Sequence, residues 1–270
     1  MKVTVIIPVH EYNDQILSLL DKAIESVQKQ ENIAELPQII VVYAAAIENE
    51  LGLYQQGLLT KYPNGINILF VKNDGNTDYQ SQVNFAVDNI TTDYFSVLEF
   101  DDEYGTSFFK NVEKYIESYP DIDVFLTMMI EVNEKNEGIK ITNETVWAQQ
   151  FVGENGEMGY LNTQALKQYT DFKLSGGVIK KSEFINLGKY KVNIKLTFMY
   201  EFLLRALNNA CKIFSIPKIG YKHLATRENS MFDVYLKTMP VPERKFWFET
   251  ATMEANITSD RPIDMSRLQK

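Results

Sequence analysis

Val3-Thr4-Val5-Ile6-Ile7-Pro8-Val9 is the stretch on which the fold turns. A nearly continuous β-branched run is the pattern of a strand buried on both faces. It is too short for a signal-peptide core and meets a proline, so it reads as a strand. Asn13 or Asp14 is placed to cap a following helix, in which Leu17, Leu20, Ile24 and Val27 recur at helical spacing. Ile39 to Tyr43 repeats the buried-strand pattern, and so does Ile66 to Val71. Phe85-Ala86-Val87 indicates another helix, and Tyr94 to Phe100 a fourth strand that runs into acids. Strands alternating with helices require crossover connections, hence an α/β fold with a Rossmann-like, mostly parallel central sheet flanked by helices. Such sheets bind ligands beyond the carboxyl ends of their strands. Four segments are therefore expected to face one crevice: Pro8 to Glu11, Tyr43 to Ala46, Lys72 to Gly75, and Glu99 to Glu103.

The second half is less regular. Asp123 to Val132 reads as a strand, and Asn133 to Gly138 as a turn into Ile139 to Thr142. Leu174 to Lys181 crosses Gly176-Gly177 into a short strand, and Ser182 to Leu187 reads as a helix closed by Gly188. A helix over Phe198 to Asn209 precedes a strand at Lys212 to Ile216. After Pro240, Phe246, Trp247 and Phe248 are too aromatic for a solvated tail, which is expected to pack on the body or on another subunit.

Composition narrows the function. Of 270 residues, 45% are hydrophobic and 12% aromatic, which excludes intrinsic disorder. Twenty-seven Lys and Arg against 36 Asp and Glu leave a net charge of -9, which argues against a broad grip on nucleic acid. Cys211 is the single cysteine, so no internal disulfide forms, and with two histidines a Cys/His zinc site is excluded. No stretch approaches the ~20 apolar residues that span a bilayer. The expectation is a soluble, cytoplasmic protein with no transmembrane segment, in which carboxylates hold any metal.

Leu98-Glu99-Phe100-Asp101-Asp102-Glu103 carries the chemistry. Four acids in five positions repel one another, and a divalent cation with diphosphate oxygens would offset that repulsion; Mg2+ or Mn2+ takes one or two carboxylates plus substrate phosphates. In an extended segment Glu99 and Asp101 lie on one side, so both can turn toward one ion. The alternative is a solvated acidic turn, with Asp102 capping the helix that begins near Thr106.

The opening Val3 to Val9, followed by Ala23-Ile24-Glu25-Ser26-Val27 and Gln30, resembles that of family 2 glycosyltransferases with the GT-A fold. Tyr94 to Asp102 resembles the family's strand ending in its Asp-x-Asp motif. Ser175 to Lys181 with Leu187 to Tyr190 is similar to its acceptor-side segment, Glu201 to Leu207 with Lys212-Ile213 and Ile216-Pro217 to the helix and strand after its catalytic acid, and Tyr221-Lys222-His223 through Arg227 to Ser230 to its closing stretch. The similarity runs in order over residues 1–232. It implies a GT-A-like domain there, with 233–270 as a C-terminal extension and a possible contact between copies. It also implies sugar transfer from a nucleotide-sugar donor, a UDP-sugar foremost, to an unknown acceptor hydroxyl, inverting and with Mg2+ or Mn2+. Carried over by position, Glu99, Asp101 and His223 hold the metal, Asp101 also meets the donor, and Pro8, Val9 and Glu11 line the nucleoside with His10 beside them. Lys72, Gln80 or Asn84 reaches the donor, and Glu201 is the base.

Two departures stand out. The family's Asp-Asp-Gly-Ser after the second strand reads Tyr43-Ala44-Ala45-Ala46, which removes a carboxylate and offers a ring for stacking on a base. The usual Glu-Asp pair before the base helix reads Phe198-Met199. Glu201 is then either the base in a shifted arrangement or a first-turn acid paired with Arg205. Trp147 is either a sugar platform or a core plug. A non-catalytic GT-A descendant serving as a binding or assembly module is the alternative to an active transferase.

Overall fold

The computed structural model describes residues 2–10, 15–146 and 149–269. Glu11, the cap candidates Asn13 and Asp14, and Trp147 lie outside the described residues. The strands are β1 (Val3–Val9), β2 (Ile39–Ala44), β3 (Ile68–Asn73), β4 (Tyr94–Val97), β5 (Glu103–Tyr104), β6 (Val124–Val132), β7 (Gly138–Thr142), β8 (Val178–Lys180) and β9 (Ile213–Leu224). Around them run α1 (Ile16–Gln28), α2 (Glu48–Lys61), α3 (Tyr79–Asn89), α4 (Phe108–Ser118), α5 (Thr163–Gln168), α6 (Lys181–Asn186), α7 (Phe198–Asn208), α8 (Met231–Thr238) and α9 (Val241–Glu254). The sheet order is β3-β2-β1-β4-β8-β6-β9-β5, with β7 beside β6. The long ladders, β1 with β2 and β4, β2 with β3, and β6 with β9, are parallel. Short β8 joins the two parallel groups by antiparallel pairing on both sides.

Strand alternation builds the layers. Val5, Ile7 and Val9 of β1 and Ile39, Val41 and Tyr43 of β2 pack with α1, α2 and α4, whereas Ile6, Ile40 and Val42 pack with α3, α7 and α9. Ile6, Ile7 and Val41 are fully buried, each contributing about 1.5–3 kcal/mol of apolar burial. On α2 only Leu51 and Leu58 are buried while Leu53 and Leu59 are exposed, so no apolar stripe announces this helix in the sequence. β3 starts at Ile68, two residues later than expected, and β4 stops at Val97, short of the acids it was expected to reach. The strand expected to end at Ile216 continues to Leu224. Its register against β6 slips between Thr127 and Met129, an irregularity that admits Pro217 without a ladder donor.

The tail is tied to the body. Phe246, Trp247 and Ala251 of α9 share a buried cluster with Phe198, Phe202 and Leu203 of α7. Thr197 Oγ1 donates to the Trp247 carbonyl at 2.8 Å, and Lys191 Nζ donates to that of Glu254 at 2.7 Å. Gly188, at φ +86°, passes so close to the Thr258 carbonyl that a Cβ would collide with it. Both the left-handed backbone and that contact demand glycine. No described helix is long and apolar enough to cross a membrane.

Candidate active site

Parallel pairing of β3, β2, β1 and β4 brings their carboxyl ends to one edge of the sheet. Pro8 and Val9 are buried there and carry His10 to the crevice; the Val9 carbonyl accepts from Gln82 Nε2 at 3.4 Å. The His10 ring lies 5.4 Å from that of Tyr79 and 5.6 Å from that of Phe100. On Phe100 sits the guanidinium of Arg227, 5.1 Å from the ring centre, and Arg227 Nε donates to Asp101 Oδ2 at 2.5 Å.

Beside this row the acids form a turn rather than a strand. The Asp102 N–H donates to the Glu99 carbonyl at 3.0 Å, which breaks the period-two alternation. β5 and β9 pair antiparallel, Glu103 opposite Lys222 and Tyr104 opposite Tyr221, so one step further sets Asp102 opposite His223. His223 Nδ1 lies 2.9 Å from Asp102 Oδ2, and Asp102 Oδ1 accepts the Leu224 N–H at 2.8 Å. Ser175 Oγ donates to Glu99 Oε1, and the Glu99 N–H donates to the Tyr221 hydroxyl at 3.2 Å. Gly176, at φ +67°, makes room for that tyrosine, because a Cβ there would strike its ring.

Ligand atoms of Glu99, Asp102 and His223 all lie within 4.8 Å of one another. Two carboxylates and a carboxylate-oriented imidazole fit a hard divalent cation that completes its shell with phosphate oxygens and water. The shifts report how much negative charge is crowded here. Burial and the neighbouring Asp102 raise the Glu99 carboxyl, and burial with Asp102 and Glu99 pushes Asp101 up to about 7 against the opposing pull of Arg227. Burial works to lower His223, but Asp102 and Glu99 outweigh it and raise the imidazole to about 9. The turn concentrates negative charge that a cation would offset.

The other expected residues have contacts of their own. Asp101 stands outside the ligand group and is held by Arg227; the expectation rested on an extended chain, and the turn puts Asp102 in its place beside Glu99. Glu201 is fully buried, chelated by Arg205 Nε at 2.8 Å and Nη2 at 2.9 Å, with Lys191 Nζ at 3.1 Å. Its polar stripe faces the 187–191 loop and the end of α9, so its carboxylate is closed to an acceptor. Asn208 on the same stripe donates to the Ala255 carbonyl at 3.2 Å. Gln80 donates to the Ile194 carbonyl at 3.0 Å, and Asn84 exchanges hydrogen bonds with the backbone of Tyr190, so this pair ties down the 190–194 loop. Lys72 is paired with Glu48 at 3.3 Å and Asp74 at 3.8 Å. Alternation turns the Tyr43 ring into the α1–α2 layer, leaving it 9% exposed, so the expected stacking surface is closed. At the start of α7 the half-buried Met199, one of the two residues that replace the family's acidic pair, brings its sulfur 3.9 Å from Ser175 Oγ. Reading by spacing passed over the contacts of Asp102 with His223 and of Asp101 with Arg227; the first follows from the β5–β9 register, which needs the fold first.

The class of this mixed α/β fold is that of a glycosyltransferase of GT-A fold, by family and by fold. Residues 4–177 match glycosyl transferase family 2, and the chain belongs to that family. Among solved structures the fold is similar to that of S. aureus TarS 1-349 in complex with UDP-GlcNAc, with TM-score 0.68 and 17% identity over 99% of this chain and 69% of that one. It is likewise similar to TarS 1-349 in complex with UDP, with TM-score 0.63 and 15% identity over 94% and 81%. No curated protein matches the chain.

Proposed function

We propose that the protein transfers a sugar from a UDP-sugar donor to an acceptor hydroxyl, with Mn2+ or Mg2+ held by Glu99, Asp102 and His223. The observation that carries this reading is that group of ligands at the carboxyl ends of the parallel strands. The complexes of the similar structures with UDP-GlcNAc and UDP support the choice of nucleotide. When bound, the cation would offset the charge of the leaving diphosphate. Asp102 orients His223, Ser175 steadies Glu99, and Arg227, set on Phe100, offers a second positive charge beside the turn. Locked in its ion pairs with Arg205 and Lys191, Glu201 is not the base in this reading. A single displacement inverts the anomeric carbon.

The test is release of UDP from UDP-GlcNAc by the purified chain, with and without Mn2+. Slow metal-dependent release, stopped by a chelator, is the expected result. A folded chain that releases nucleotide from none of the UDP-, GDP-, CMP- or dTDP-sugars favours the non-catalytic reading, to which Met199 at the start of α7 already lends weight.

A further inference from the structure

Lys173 is held in place by two separate devices. Its Nζ lies 2.7 Å from Glu131 Oε1, with the glutamate side chain 6% exposed and that of the lysine 30%. Its backbone is clamped by Asn143, whose Oδ1 accepts the Lys173 N–H at 2.8 Å and whose Nδ2 donates to the Lys173 carbonyl at 2.9 Å. Asn143 is itself buried and donates to the Thr127 carbonyl at 3.1 Å, which anchors the clamp in β6. These devices set the lysine on the face of the sheet that carries His223. Glu131 of β6 is the register partner of His223 in the parallel ladder with β9, and paired residues of neighbouring strands project to the same face. Two residues beyond Lys173, Ser175 donates to Glu99. Behind burial and Asp102, the largest causes of the shifts of Glu99 and His223, the Lys173 charge pulls both groups down.

We propose that Lys173 binds the β-phosphate of the nucleotide donor, from a position that Glu131 and Asn143 fix beside Glu99 and His223. This rests on the transferase reading and adds to its site a residue outside the metal ligands. A divalent cation on two carboxylates is neutral as a unit, so part of the diphosphate's charge is left for side chains to meet, and an ammonium suits a phosphate oxygen. Arg227 and Lys222 also flank the acidic turn, but each is drawn against an acid of the turn itself, Asp101 and Glu103, at 2.5 Å. The partner of Lys173 lies outside the turn. Glu131 also has Lys140 at 3.6 Å, so it stays paired when Lys173 turns to a ligand.

The test is calorimetric titration of the full chain and of its Lys173→Gln, Lys173→Arg and Lys140→Gln variants with UDP and with UMP, in saturating Mn2+. Lys173→Gln is expected to bind UDP about tenfold or more weakly, the loss of one charge-assisted hydrogen bond, and to bind UMP as the parent does. Lys173→Arg should restore most of the UDP affinity. Lys140→Gln, which takes the more exposed lysine from Glu131, should leave both affinities within about twofold. A lysine that only neutralises Glu131 would lower the unfolding midpoint of Lys173→Gln and leave the ratio of UDP to UMP affinity at the parental value, and that result overturns the proposal. So does an equal loss for UDP and UMP, or a loss in Lys140→Gln as large as that in Lys173→Gln. The double variant Glu131→Gln, Lys173→Gln strands no buried charge, and the same ratio is read from it where the single variant does not fold. Parental UDP affinity in Lys173→Gln removes Lys173 alone; absence of UDP binding by the folded parent removes the transferase reading and this proposal with it.

Discussion

Asp102→Ala is expected to weaken Mn2+-dependent UDP binding by ~10–100-fold or more and to bring sugar transfer close to background. The carboxylate is 1% exposed and does two things at once: it is one of three converging ligands, and it fixes the ring of His223 through Nδ1. Removing it takes a charge from the group and leaves the imidazole and the Leu224 N–H without their acceptor. The measurement is UDP affinity with Mn2+ and with chelator, for Asp102→Ala beside Asp101→Asn. Retained metal dependence in Asp101→Asn and its loss in Asp102→Ala is the expected pattern. The reverse would restore the pairing of Glu99 with Asp101 and undo the turn-based assignment.

Glu201→Ala should act on stability rather than on chemistry. The carboxylate neutralises two buried cations, Arg205 and Lys191, and Arg205 in turn donates to the carbonyls of Leu187 and Lys189. Breaking a buried ion pair by removing one partner costs about 3–5 kcal/mol, because a charge is left unpaired inside. Against a typical total of about 5–15 kcal/mol, that is a large share. The unfolding midpoint is expected to fall sharply, with specific activity per folded molecule preserved. Glu201→Gln, which keeps the volume, separates the two roles. A catalytic base would lose activity at near-parental stability, and that outcome would return Glu201 to the chemistry.

The fold was legible where local and global signals coincide. β1, β2 and β6 are buried on both faces, so their apolar runs are nearly continuous and cannot be mistaken for amphipathic helices. α2 hides because its helix buries two leucines and exposes two others. In the site, the acidic stretch and His223 are visible in the sequence, but their partners are not. The choice between Asp101 and Asp102 depends on where β4 ends and a turn begins, and their pairing with Arg227 and His223 spans more than a hundred residues. Glu201 shows the converse: helical periodicity sorts polar from apolar faces, yet does not tell a polar face turned to a crevice from one sealed by Lys191 and a later helix.

The central claim is that Glu99, Asp102 and His223 hold a divalent cation against the donor's diphosphate. Calorimetric titration of the purified chain with UDP, in Mn2+ and again in chelator, with UMP as control, tests it most directly. The account predicts one UDP site that tightens at least about tenfold with Mn2+, and UMP binding that the metal barely changes. UDP affinity indifferent to Mn2+, or no UDP binding by a folded chain, would contradict it.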